Sequence, residues 1–149
     1  MRADDASSQA RPLHASPVAL VLVLIGGAIG TAVRASLAEA FPPADGGWPW
    51  ATFAVNVVGS FLLGVLVAVV SGREVGLLRY VRPALGTGVL GGFTTYSTFA
   101  FEVDRLLSGG AVGLGLVYAG LSVVLGVLAA AVGVVMGGGI APPTEEVER

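Results

Sequence analysis

The chain has 149 residues, of which 54% are hydrophobic and only 12% charged, with 23 glycines and a formal net charge of −2. Soluble domains carry about 25% charged residues, so this balance excludes a soluble globule and indicates a membrane protein. Cysteine is absent and His14 is the only histidine, which excludes disulfides, thiolate chemistry, Cys/His metal centres and a catalytic triad. The chain reads as non-enzymatic.

In chain order, Met1–Ser16 mixes Asp4 and Asp5 with Arg2 and Arg11 and reads as a short disordered tail over residues 1–16. The apolar run that follows is too long for a signal-peptide core and is expected to be retained. Crossing a hydrocarbon layer about 30 Å thick takes about 20 apolar residues. Stretches of that kind lie at Pro17–Ala38, Pro49–Ser71, Tyr80–Val103 and Ala111–Gly137. The predicted fold is therefore an all-α membrane protein with four transmembrane helices over residues 17–137, followed by a polar, acidic, proline-broken tail over residues 138–149.

Phe41–Trp50 contains prolines, glycines and two tryptophans, a composition that ends a helix and suits an interfacial loop with its rings in the headgroup layer. The connections Ser71–Arg79 and Ser108–Gly110 are short, so sequential helices should run antiparallel. Lysine is absent. Arg2, Arg11, Arg73, Arg79, Arg82 and Arg149 fall on the side shared by both termini, and Arg105 falls on the other, a bias that places both termini in the cytoplasm. Gly26 with Gly30, Ser60 with Gly64, Gly88 with Gly92, and Gly133 with Gly137 have the spacing of close helix contacts, within the chain and with a partner.

The segment Gly86–Phe101 combines adjacent glycines, hydroxyl residues and aromatic rings in an otherwise apolar span. It predicts a third helix broken near Gly91–Thr94. Irregular backbone at membrane depth survives only where protein buries it or where it lines a cavity. Asn56 is the one amide within the spans, either interhelical glue or part of a path. Thr52, Asn56 and Ser60 share a helical stripe and form a row of donors. Tyr96 and Phe99 lie three apart on the half-helix after the break, where plain apolar packing is the alternative role. Tyr118 and Ser122 share a face of the last span, with Ser122 equally able to bond back to its own helix. Gly126, one turn on, offers no side-chain donor. Thr95, Ser97 and Thr98 either line the path or cap the half-helix. Arg34 and Glu102 are charges at or near helix ends, and long side chains there ordinarily snorkel.

The run Gly91-Gly-Phe-Thr-Thr-Tyr-Ser-Thr-Phe99 resembles the third-helix signature of the CrcB/Fluc fluoride channels. Gly26-Gly-Ala-Ile-Gly-Thr-Ala-Val-Arg34 and Thr52-Phe-Ala-Val-Asn56-Val-Val-Gly59-Ser60 extend the resemblance in the family's order. It implies a fluoride-selective passive channel that exports fluoride across the cytoplasmic membrane. It further implies assembly as an antiparallel dimer, either a homodimer or a heterodimer with an inverted paralogue. The implied fluoride pathway comprises Asn56, Tyr96, Phe99, Thr98, Ser122, Tyr118 and Thr52. Arg34 belongs to a positive vestibule, and the backbone carbonyls of Gly91 and Thr94 hold a structural sodium ion at the subunit interface. The family has phenylalanine where this chain has Tyr96, and the ring edge that faces the anion survives that change. Fluoride, membrane lipid and a second chain are the expected partners, with no nucleic acid. The alternatives are a small four-helix multidrug-type secondary transporter, which needs a membrane-embedded carboxylate that the first span lacks before Glu39, and a non-conducting membrane interaction subunit.

Overall fold

The computed structural model describes residues 16–71 and 76–140. Residues 1–15 of the expected N-terminal tail, Arg73 in the second connection, and residues 141–149 of the acidic tail lie outside them, and Arg2, Arg11 and Arg149 with them. In chain order come α1 (Pro17–Ala40), α2 (Trp50–Val70), a short 3-10 turn Gly76–Tyr80, a π-wound segment Arg82–Leu90, α3 (Gly91–Phe93), α4 (Ser97–Ser108) and α5 (Val112–Ile140). Three helices, Pro17–Ala40, Trp50–Val70 and Val112–Gly138, are long and apolar enough to cross a membrane. Their outward faces, including Leu24, Leu116, Val127 and Val135, are exposed apolar surface of the kind that hydrocarbon solvates. The chain is a multi-pass membrane protein of the cell membrane.

The segment expected to be the third span is interrupted, and the interruption begins at Thr94, the far end of the expected Gly91–Thr94 stretch. Gly91 and Gly92 remain helical within α3, and the non-helical residues are Thr94, Thr95 and Tyr96. Upstream, the backbone is wound wide: the Gly91 N–H reaches back five residues to the Gly86 carbonyl, a π geometry common near functional sites. Downstream, α4 continues to Ser108, beyond the predicted Val103.

Close packing on α1 is why the double glycine is not the break. A Cβ on Gly92 would strike the Gly27 carbonyl of α1, and one on Gly30 would strike the Val89 carbonyl, while one on Gly26 would lie 2.6 Å from the Ala84 carbonyl. These glycines let α1 lie backbone-to-backbone on the first half of the third span. A second seam joins α2 to α5, where a Cβ on Gly64 would meet the Ala130 carbonyl and one on Gly137 would sit 2.7 Å from the Val65 carbonyl. In lipid, close packing of this kind replaces the hydrophobic drive that water supplies. The glycines of the small-residue pairs are thus used within the chain.

The break hands the chain from one seam to the other. Before it, the third span packs on α1; after it, α4 packs on α5. Trp48 also departs from expectation. It is half-buried and packs edge-on against Tyr118 of α5 at 5.3 Å and against Phe53 at 5.3 Å, so only Trp50 stands out towards the headgroup layer. Pro49 between them is fully buried and fixes this inward fold of the loop.

Candidate functional site

The site is built on the break. Thr94 leaves the helix with ψ 158, while its N–H and its hydroxyl both donate to the Leu90 carbonyl at 2.9 Å. The next residue is held from α2: the Thr95 N–H donates to Asn56 Oδ1 at 2.8 Å, and Asn56 Nδ2 donates to the Thr95 carbonyl at 2.9 Å. Asn56 therefore replaces the helical partners that the break removes, and its second Nδ2 hydrogen is left over. Thr95 Oγ1 accepts the Thr98 N–H at 3.1 Å, capping the start of α4, and donates to Thr98 Oγ1 at 3.0 Å. Thr98 is thus held by the cap and does not line the groove described below.

Arg34 is not at a helix end, since α1 continues to Ala40. Its Nε donates to the Gly92 carbonyl at 3.2 Å, joined there by the Thr31 hydroxyl at 3.4 Å. A cation at the end of a helical segment meets both the freed carbonyl and the negative end of the dipole. No turn or cap hydrogen bond among the described residues ends on the carbonyl of Gly91 or Thr94. Among the described residues no group of three or more Asp, Glu or His side chains is placed to hold a metal ion.

An open groove of about 360 Å³ runs beside the break, lined by Asn56, Ser60, Gly91, Thr94, Tyr96, Phe99 and Ser122 among others. The remaining residues of the expected pathway divide between this groove and a neighbouring group. Ser122 is buried and its Oγ has no hydrogen-bond partner among the described residues, so the bond back to its own helix is not formed. Gly126 leaves space that Ser60 fills from α2: the Ser60 Oγ lies 3.6 Å from where a Gly126 Cβ would stand. Tyr96 is 80% exposed, its ring at the open side of the groove. From it the aromatic centroids step to Phe99 at 6.1 Å, then to Tyr118 at 5.5 Å.

Thr52 and Tyr118 stand beyond the groove, on Glu102. Its carboxylate accepts the Thr52 hydroxyl at 2.8 Å and the Tyr118 hydroxyl at 2.7 Å, and all three residues are buried. Glu102 does not snorkel. Its position three residues after Phe99, on the neighbouring turn of the same side of α4, was the one available signal.

A helical membrane bundle whose broken span opens onto a hydroxyl- and aromatic-lined groove belongs to the class of small membrane channels and transporters. The family described as "CrcB-like protein, Camphor Resistance (CrcB)" matches residues 21–134, and the chain belongs to that CrcB/Fluc family. It is 42% identical over 131 residues to "Fluoride-specific ion channel FluC 2" of Leifsonia xyli subsp. xyli, covering 87% of this chain and 90% of that protein. It is 49% identical over 115 residues to "Fluoride-specific ion channel FluC" of Deinococcus radiodurans, covering 76% and 90%. With "Fluoride-specific ion channel FluC 1" of Mycobacterium tuberculosis it shares 44% over 110 residues, covering 74% and 83%.

Proposed function

We propose that this protein is a fluoride-selective passive channel, not an enzyme, that lets fluoride leave the cell across the cytoplasmic membrane. Family membership is joined by one structural observation that carries the proposal: donors and ring edges from three helices converge on the groove at the break. Moving a small ion out of water into a low dielectric carries an idealised cost of order 20 kcal/mol. The spare Nδ2 hydrogen of Asn56, the unpartnered hydroxyl of Ser122 and the positive rims of Tyr96 and Phe99 offset it without a full charge that would trap the ion. Successive weak sites let the ion leave as readily as it enters. Tyr118 and Thr52 extend the path one step further, Thr98 acts by holding the cap at Thr95, and Arg34 brings positive potential to the break.

The groove is open, and its exposed polar wall is costly if lipid covers it. An inverted second chain, giving an antiparallel dimer of four-crossing subunits, covers it and completes each path. The Gly91 and Thr94 carbonyls are suited to a sodium ion at that contact: they are hard oxygen donors with no turn or cap partner among the described residues, and a cation ligated there stabilises the break from both chains. The decisive experiment is fluoride efflux from liposomes containing this chain alone. Release of fluoride well ahead of chloride supports the proposal, and equal halide fluxes overturn it.

Glu102 is the observation that favours the multidrug-type alternative, because it supplies a membrane-embedded carboxylate. Both of its oxygens already accept hydroxyl hydrogens, so it does not face the groove as a free cation site. Proton-driven uptake of a lipophilic cation in the same liposomes tests this alternative.

A further inference from the structure

A second cavity lies away from the groove, at the end of the bundle where the α1–α2 connection meets the turn between α4 and α5. It measures about 160 Å³ and is enclosed by Asp45, Gly46, Arg105, Leu106, Gly109 and Ala111. Arg105 occupies the last turn of α4, where a basic side chain ordinarily donates to the unpaired carbonyls of the helix end. That task is already filled. Gly109, Gly110 and Ala111 donate their N–H groups to the carbonyls of Arg105, Leu107 and Leu106 at 2.9, 3.2 and 2.9 Å. The Arg105 guanidinium is left with Nη2 fully buried and without a hydrogen-bond partner among the described residues. Asp45, which lines the same cavity, forms no ion pair with it.

Arg105 also follows Glu102 along α4. Arg105 lies three residues after Glu102, about one turn further along α4 and next to it on the helix surface. The guanidinium therefore stands one turn beyond the Thr52–Glu102–Tyr118 group, at the loop end of the proposed path. A buried donor that none of the described acceptors serves, bearing a full positive charge inside a small cavity, is suited to an anion. At about 30 Å³ of liquid volume per water, the cavity accommodates a small monovalent anion with part of its hydration shell. Asp45 opposes tight retention there.

We infer that this cavity is an anion-receiving mouth and that Arg105 is its recruiting residue, a role that rests on the channel function proposed above for the direction of travel but not for the binding itself. A charge in a low-dielectric cleft concentrates counter-ions and raises their entry rate, and the gain falls as salt screens it.

The test uses the full chain in liposomes, with fluoride efflux measured across a series of fluoride concentrations at low and high ionic strength. Arg105→Gln is expected to lower flux several-fold at low fluoride, and to approach the unsubstituted protein at saturating fluoride and at high salt. Arg105→Lys should restore most of the loss, and Asp45→Asn should raise flux at low fluoride. An unchanged Arg105→Gln, or a loss of the same factor at every concentration and salt, overturns the recruiting role. Binding is tested separately by phenylglyoxal modification of Arg105 in the detergent-solubilised wild-type chain, read by peptide mass spectrometry. Fluoride or chloride should slow that modification. If the chain carries no fluoride yet Arg105 is protected, the channel function fails and the anion site stands; if neither halide protects it, the site fails whatever the flux.

Discussion

Asn56 and Thr95 exchange two hydrogen bonds across the break, with the side-chain amide of α2 standing in for the backbone partners that Thr95 lacks. The glue role and the pathway role expected of Asn56 are thereby properties of one residue: the clamp fixes the amide, and the fixed amide presents its remaining hydrogen beside the groove. Asn56→Ala removes both bonds and leaves a half-buried N–H and C=O to find other partners, a loss of about 1–3 kcal/mol. The expected outcome is a lower thermal midpoint together with reduced fluoride flux, while the protein still purifies as an assembled species. Normal flux with lowered stability would show that Asn56 is only glue.

Phe99 is expected to act through its ring edge. Phe99→Ile retains apolar bulk and removes the aromatic rim, so fluoride efflux should collapse while size-exclusion behaviour stays the same. Full activity in this variant would assign Phe99 to packing alone. Tyr96→Phe deletes one hydroxyl from a ring that is mostly exposed, and it should leave substantial flux.

A break near Gly91–Thr94 was legible because adjacent glycines followed by hydroxyl residues weaken a helix and supply polar groups that hydrocarbon does not solvate. Its exact start was not, because Gly92 packs against α1, whose Gly27 carbonyl approaches it too closely for a Cβ, and that constraint is tertiary. Arg34 and Glu102 looked like terminal charges for a similar reason. Only the fold shows α1 running on to Ala40, and the Thr52 and Tyr118 hydroxyls converging on Glu102 from two other helices. Trp48 has the composition of an interfacial ring, and the buried Pro49 turns it inward to Tyr118.

The hydroxyls around Glu102 can be removed one at a time. Tyr118→Phe takes a 2.7 Å hydroxyl donor from a buried carboxylate and leaves one oxygen unserved. Losing a hydrogen bond to a charged group costs about 1.5–3 kcal/mol. Thr52→Val does the same at the other oxygen. Each variant should lower thermal stability, and the double variant should cost less than the sum of the two if Glu102 reorients after the first loss. Strict additivity would show that the two hydroxyls act independently on a fixed carboxylate.

The seams are tested by a pair of glycines in contrasting surroundings. Gly30→Ala pushes a methyl into the Val89 carbonyl, a backbone atom with little freedom to move. Overpacking of that kind costs about 1–3 kcal/mol. Gly120→Ala meets nothing within 4 Å, and alanine is favoured over glycine in a helix by about 1 kcal/mol. The first variant should melt earlier than the unsubstituted protein and the second no earlier. Equal midpoints for the two would remove the backbone seam as the reason for glycine at position 30.

Pairing decides whether the two proposed paths are equivalent. The arginine bias favours both termini in the cytoplasm, which in an antiparallel dimer calls for a separately encoded inverted partner. Against it, the open groove with Asn56, Tyr96 and Ser122 on its wall is the same surface on every copy of this chain, and an isologous two-fold contact with a second copy would close it. Only seven arginines carry the charge bias, six against one, a small count to set against that contact. A self-pairing homodimer is therefore expected. Reporter fusions at either terminus should show both orientations in cells, and the purified single chain should release fluoride from liposomes on its own. A wholly cytoplasmic reporter signal, together with no flux until an inverted paralogue is co-expressed, would establish the heterodimer instead.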